Sequence, residues 1–124
     1  MRVFIDTNLW VYRLDQREPE KSHRISTWLR ELANDHDIVV STQVLIELRA
    51  VVTRKLKPAL SFADTRLALN VLAAFEVVAT DANLVLDAHE LAQAEQLSWF
   101  DALIVEAAIH SGLTVCNPFL PVSD

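Results

Sequence analysis

The chain has 124 residues, 52% of them hydrophobic and 23% charged, with a formal net charge of -6. That length supports one globular domain spanning residues 1–124 with a real core, and the acidic balance argues against an extensive phosphate-neutralising face. One cysteine, Cys116, excludes an internal disulfide and a cysteine-based zinc cluster, and fits a reducing compartment. The apolar runs fall far short of the ~20 residues that a membrane span needs. The opening MRVFIDTN lacks the length and cleavage pattern of a signal peptide, so a cytoplasmic protein with no membrane association is expected.

Val3-Phe4-Ile5 reads as a short strand buried on both faces, stopped by the turn and capping residues Asp6-Thr7-Asn8. Short helical patterns follow over about Leu9 to Leu14 and Glu20 to Ala33; in the second, Ile25, Trp28, Leu29 and Leu32 form one apolar stripe. Trp10, Tyr12 and Trp28, on or beside these helices, are candidate interface anchors, although Trp28 fits a core position better. Asn34 to Asp37 form a turn, and Ile38-Val39-Val40 reads as a second strand ending at Ser41-Thr42. Helices are expected from Thr42 to about Leu56, broken near Pro58, and from Ser61 to about Ala74. Phe75 to Ala79 is a third β-like run, and a helix capped by Thr80 or Asp81 extends through Gln96. Ser98 to Asp101 open the last helix, which runs to Ser111 with Gly112 placed to end it. Leu113 to Cys116 form a fourth strand-like run, closed by Asn117-Pro118-Phe119. Strands and helices in alternation point to an α/β sandwich in which a central parallel sheet of about four strands is flanked by helices. Right-handed crossovers then gather the polar strand tips on one edge.

Three acids stand near that edge. Asp6 ends the first strand, where ligands bind in open parallel sheets, although a residue there can equally serve as a helix cap. Glu47 falls on the rim of its helix's buried face, where pairing with Arg49 or Arg54 is the plainer alternative. Asp101 sits beside apolar Ile104, Val105 and Ala108, and helix capping is its plainer role. Glu106 and His110, spaced i, i+4, read as an exposed pair rather than a site. If Asp6, Glu47 and Asp101 converged to ~5 Å, each pair would repel by about 3 kcal/mol at an effective dielectric near 20. A divalent cation relieves that repulsion, and an all-oxygen donor set selects a hard ion such as Mg²⁺ or Mn²⁺, which can activate water and hold a phosphoryl oxygen.

Taken together, Val3 to Asn8, Ser41 to Leu48 and Leu97 to Val105 resemble the PIN-domain ribonucleases, especially the VapC-type toxins of toxin-antitoxin operons. The resemblance covers nearly the whole chain. It implies that Asp6, Glu47 and Asp101 are metal-binding catalytic acids of a metal-dependent endoribonuclease, supported by hydrogen bonds from Thr7 or Asn8. It further implies RNA as substrate, Mg²⁺ or Mn²⁺ as cofactor, neutralisation by a cognate antitoxin protein whose C-terminal segment wraps the toxin, and a homodimer.

The chain departs from that pattern at its end. Members of the family usually carry a further acid in a Ser/Thr-Glu-Asp turn before the final strand, whereas here Ser111-Gly112 passes at once into Leu113 to Cys116. Asn117 is the polar residue nearest the expected place and is a poor substitute, and Asp124 sits on a loose tail. The alternative to an active toxin is therefore a catalytically weakened PIN scaffold that binds a partner. A haloacid-dehalogenase phosphatase is excluded because Asn8 stands where a second Asp is needed. A receiver domain is excluded because no lysine follows Lys57. The shortening also leaves a place beside the first strand that Leu113 to Cys116 should occupy, since buried backbone groups require partners.

Overall fold

A computed structural model of the protein describes residues 1–116. The expectations for Asn117, Pro118, Phe119 and Asp124 lie outside these residues. The elements run β1 (Arg2–Ile5), α1 (Thr7–Leu14), α2 (Pro19–Asp35), β2 (Asp37–Ser41), α3 (Thr42–Arg54), α4 (Phe62–Ala73), β3 (Glu76–Val78), α5 (Ala82–Glu95), α6 (Trp99–His110) and β4 (Val115–Cys116). All strand pairings are parallel and the order across the sheet is β3-β2-β1-β4.

Most helix starts are written in the sequence as a polar side chain closing on the backbone three residues ahead. Ser41, Ser61, Asp81 and Ser98 accept from the N–H groups of Val44, Asp64, Leu84 and Asp101 at 3.3, 3.1, 2.9 and 3.2 Å. Each bond satisfies one of the donors that a helix leaves orphaned at its first turn. α2 starts instead on Pro19, whose missing N–H costs nothing there. α1 begins at Thr7, two residues earlier than the apolar pattern indicates, because Asp6 serves as its N-cap.

The core is built where β1 and β2 meet the helices. Phe4, Ile5, Val39 and Val40 have no exposed surface, and Leu9, Val44, Leu48, Val52 and Ala88 close over them from the helices. Trp10 is 2% exposed and its ring lies 5.6 Å from that of Phe75, so it belongs to the core and is not an interface anchor. Trp28 is partly buried against the same core.

The carboxyl-terminal end supplies the fourth strand in shortened form. Three strands make up the bulk of the sheet, and the run expected over Leu113 to Cys116 pairs as two residues, with Phe4 opposite Val115 and Ile5 opposite Cys116. The turn before it explains the shortness. Gly112 adopts φ +72°, Leu113 N–H bonds the Ala108 carbonyl at 2.8 Å, and Gly112 N–H bonds the Ile109 carbonyl at 2.9 Å. This paired closure ends α6 and uses Leu113 in the cap rather than in the strand. β1 nevertheless has a neighbour on each side, so Phe4 and Ile5 lie inside the sheet.

A Cβ on Gly112 would meet nothing within 4 Å, so any cost of substitution there is backbone strain alone. Gly112→Ala should lower stability by about 1 kcal/mol, and Gly112→Asn by less, as read from denaturant midpoints. Equal stability of the alanine variant and the parent would show that this turn is not what fixes the end of α6.

Candidate functional site

Parallel strands deliver their carboxyl ends to one edge, and three helices start there or close by. Asp6 follows β1 and caps α1, accepting the Thr7 N–H at 2.6 Å with one carboxylate oxygen. Glu47 stands in the second turn of α3, the helix opened by Ser41 at the tip of β2. Asp101 lies in the first turn of α6, exposed, with its own N–H held by Ser98.

Thr7 ties the first two together. It is 3% exposed, and its hydroxyl donates to Glu47 Oε2 at 3.0 Å, crossing from α1 to α3. Glu47 is thus held by Thr7 and by neither Arg49 nor Arg54. Asn8 is exposed and makes no side-chain hydrogen bond to these acids. Gln43 is the member of this neighbourhood that the sequence reading missed. It is buried one turn before Glu47, and its amide nitrogen completes no hydrogen bond among the described residues. The i, i+4 spacing of Gln43 and Glu47 was the available signal.

The electrostatics place the three acids in one field. Burial pushes the Asp6 carboxyl above the ordinary carboxylate range; the Thr7 N–H opposes this and the charge of Asp101 adds to it. Burial likewise raises Glu47, opposed by the Thr7 hydroxyl and raised further by Asp6, with Gln43 lowering and Asp101 raising it by less. Both side chains therefore favour a proton or a cation more than free carboxylates do. The donors are all oxygen, which fits a hard divalent ion such as Mg²⁺ or Mn²⁺ in kind. Their spacing fits less well. Among the described residues, the group of three whose ligand atoms all lie within 4.8 Å of one another is Asp87, Glu106 and His110, and Asp6, Glu47 and Asp101 do not form such a group.

That second cluster corrects the reading of Glu106 and His110 as an exposed pair. Glu106 is 8% exposed, facing inward between α5 and α6, and Asp87 of α5 joins it through His110. The partner Asp87 lies on another helix, so spacing along α6 could not disclose it.

A PIN-domain family model matches residues 3–116. The chain belongs to the PIN-domain family. Among solved structures it is similar to VapBC2 from Rickettsia felis, bound to a DNA fragment from their promoter, at 23% identity and TM-score 0.64, covering 91% of this chain and 84% of that one. It is also similar to Mycobacterium tuberculosis VapC20, a sarcin-ricin loop cleaving toxin, at 20% identity and TM-score 0.57, covering 90% of this chain and 84% of that one. No curated protein matches the sequence. No helix of the described residues is long and apolar enough to cross a membrane.

The raised Asp6 gives a signed expectation. A carboxyl whose folded value lies above its unfolded value near ~4 adds stability that is full below pH ~4 and lost as pH rises through the folded value. Asn caps a helix as well as Asp does. Without divalent ions, Asp6→Asn should therefore raise the melting temperature at pH 7, the gain vanishing below pH ~4. A loss of stability at pH 7 would contradict this account of Asp6.

Proposed function

We propose that this chain is a PIN-scaffold protein whose ribonuclease-type site is catalytically weakened and whose retained role is to engage a partner protein. The observation that carries this reading is the state of the acidic mouth. Asp6, Glu47 and Asp101 share one field, and the sequence supplies no acid between Ser111 and Ser123 to complete them. It is preferred to the reading of a metal-dependent endoribonuclease toxin neutralised by an antitoxin.

On this reading Asp6, Glu47 and Asp101 would hold one Mg²⁺ or Mn²⁺, and that ion would supply activation of water and neutralisation of a phosphodiester oxygen in RNA. The remaining work belongs to the chain. Thr7 orients Glu47 by its hydroxyl, and Asp6 keeps one oxygen engaged with the start of α1, leaving the other free to face the mouth. Burial of Asp6 and Glu47 reduces competition from water for whatever cation they meet.

The partner reading draws on charge. An antitoxin-type protein would bring a basic segment to the mouth, its arginine pairing with these carboxylates. The similar structures of VapBC2 bound to promoter DNA and of the toxin VapC20 are the precedents for this reading. A homodimer is part of the proposal as well, with exposed Leu86, Phe100 and Ile109 as apolar surface available to it.

Calorimetric titration with Mn²⁺ should give one weak site, lost in Asp6→Asn, Glu47→Gln and Asp101→Asn. RNA cleavage should be slow, dependent on Mg²⁺ or Mn²⁺, and absent in the same variants. Inserting a Ser-Glu-Asp turn and strand at Gly112 should raise cleavage roughly tenfold or more. Two tight ions and brisk cleavage by the unaltered chain would overturn the weakened reading, and cleavage that survives EDTA and Asp101→Asn would overturn the mechanism. A monomer in sedimentation at high concentration would remove the homodimer.

A further inference from the structure

Charge is divided sharply along this chain. All 11 lysines and arginines lie within the first 66 residues, so α5 and α6 contain none. The carboxylates on these two helices must find counter-charge elsewhere. Glu106 meets the problem in its hardest form, since its side chain is 10% exposed and its recorded partner is His110.

His110 brings together side chains of metal-ligating type. One ring nitrogen, Nε2, faces two carboxylates at once, Asp87 Oδ2 at 2.8 Å and Glu106 Oε1 at 3.3 Å. A single N–H can serve both oxygens only as a shared, three-centre bond. Even with an imidazolium, two carboxylates against one positive charge leave the cluster negative. Three ligands bonded to a tetrahedral ion at ~2.0–2.1 Å lie about 3.3 Å from one another; here the two spacings from Nε2 are near that, and all three ligand atoms lie within 4.8 Å of one another. Asp87 and His110 are open to solvent on one side, which gives an ion a path in and leaves a position for water.

We propose that Asp87, Glu106 and His110 bind a borderline divalent ion of the Zn²⁺ class, clamping α5 to α6. The donor set decides the class. One imidazole nitrogen with two carboxylate oxygens suits Zn²⁺, Co²⁺ or Ni²⁺, whereas Mg²⁺ prefers oxygen throughout. The site is separate from the acidic mouth. Along α6, Glu106 stands about 7.5 Å from Asp101 and His110 about 13.5 Å, by helical rise, and Glu106 is turned about 140° from Asp101. A clamp here fixes the helix that carries Asp101 without touching the three acids.

The test uses the whole chain, stripped of metal with chelator and dialysed, then melted with added Zn²⁺ or Mg²⁺. Free Zn²⁺ at about 100 times Kd should raise the melting temperature by roughly 10 °C, with one ion bound by calorimetry. Mg²⁺ at the same concentration should not reproduce the shift. His110→Gln and Asp87→Asn should each abolish it, while Asp6→Asn leaves it in place. Because Asp87 is exposed, Asp87→Asn remains informative if His110→Gln fails to fold. The proposal is overturned if Zn²⁺ gives no shift, or if the shift persists in either cluster variant, which would assign the ion to another histidine or to Cys116.

Discussion

The structure turns on the partial burial of two carboxylates at the mouth of a parallel sheet. Asp6 and Glu47 lose much of their water, and Asp101 adds a third negative charge to the same region. Solvation lost on folding has to be replaced by something with a positive end. The chain replaces part of it: Asp6 receives an N–H from the start of α1, and Glu47 receives the Thr7 hydroxyl. These are dipoles rather than charges, so the site is left wanting a proton, a metal ion or a basic side chain from outside.

Thr7 occupies the junction on which this arrangement depends. Its backbone N–H bonds the residue before it, and its side chain bonds a residue 40 positions further along. A buried threonine hydroxyl needs a partner, and here the partner is Glu47 on the neighbouring helix α3.

The turn that ends α6 also completes the sheet around β1. Closing α6 with Gly112 and passing directly into Val115 and Cys116 gives β1 a second neighbour, so the strand that carries Asp6 remains interior. The sheet order is thus kept although no acid lies between Ser111 and Ser123.

Much of this was legible in the residues. Short apolar runs alternating with amphipathic stretches defined the parallel α/β architecture, and the serine and aspartate caps marked helix starts, because both signals are local. The family resemblance rested on the blocks around Asp6, Glu47 and Asp101. Tertiary structure alone decided the rest. It assigned Glu47 to Thr7 instead of an arginine, sank Trp10 into the core, cut the last strand to two residues, and turned Glu106 inward to meet His110 and Asp87. Each of these outcomes depends on which helix lies against which, and a hydrogen bond between residues 40 positions apart leaves no periodicity in the chain to announce it. The distances among the three acids belong to the same class: sequence can place carboxylates at strand tips and helix starts, but packing sets how closely they converge.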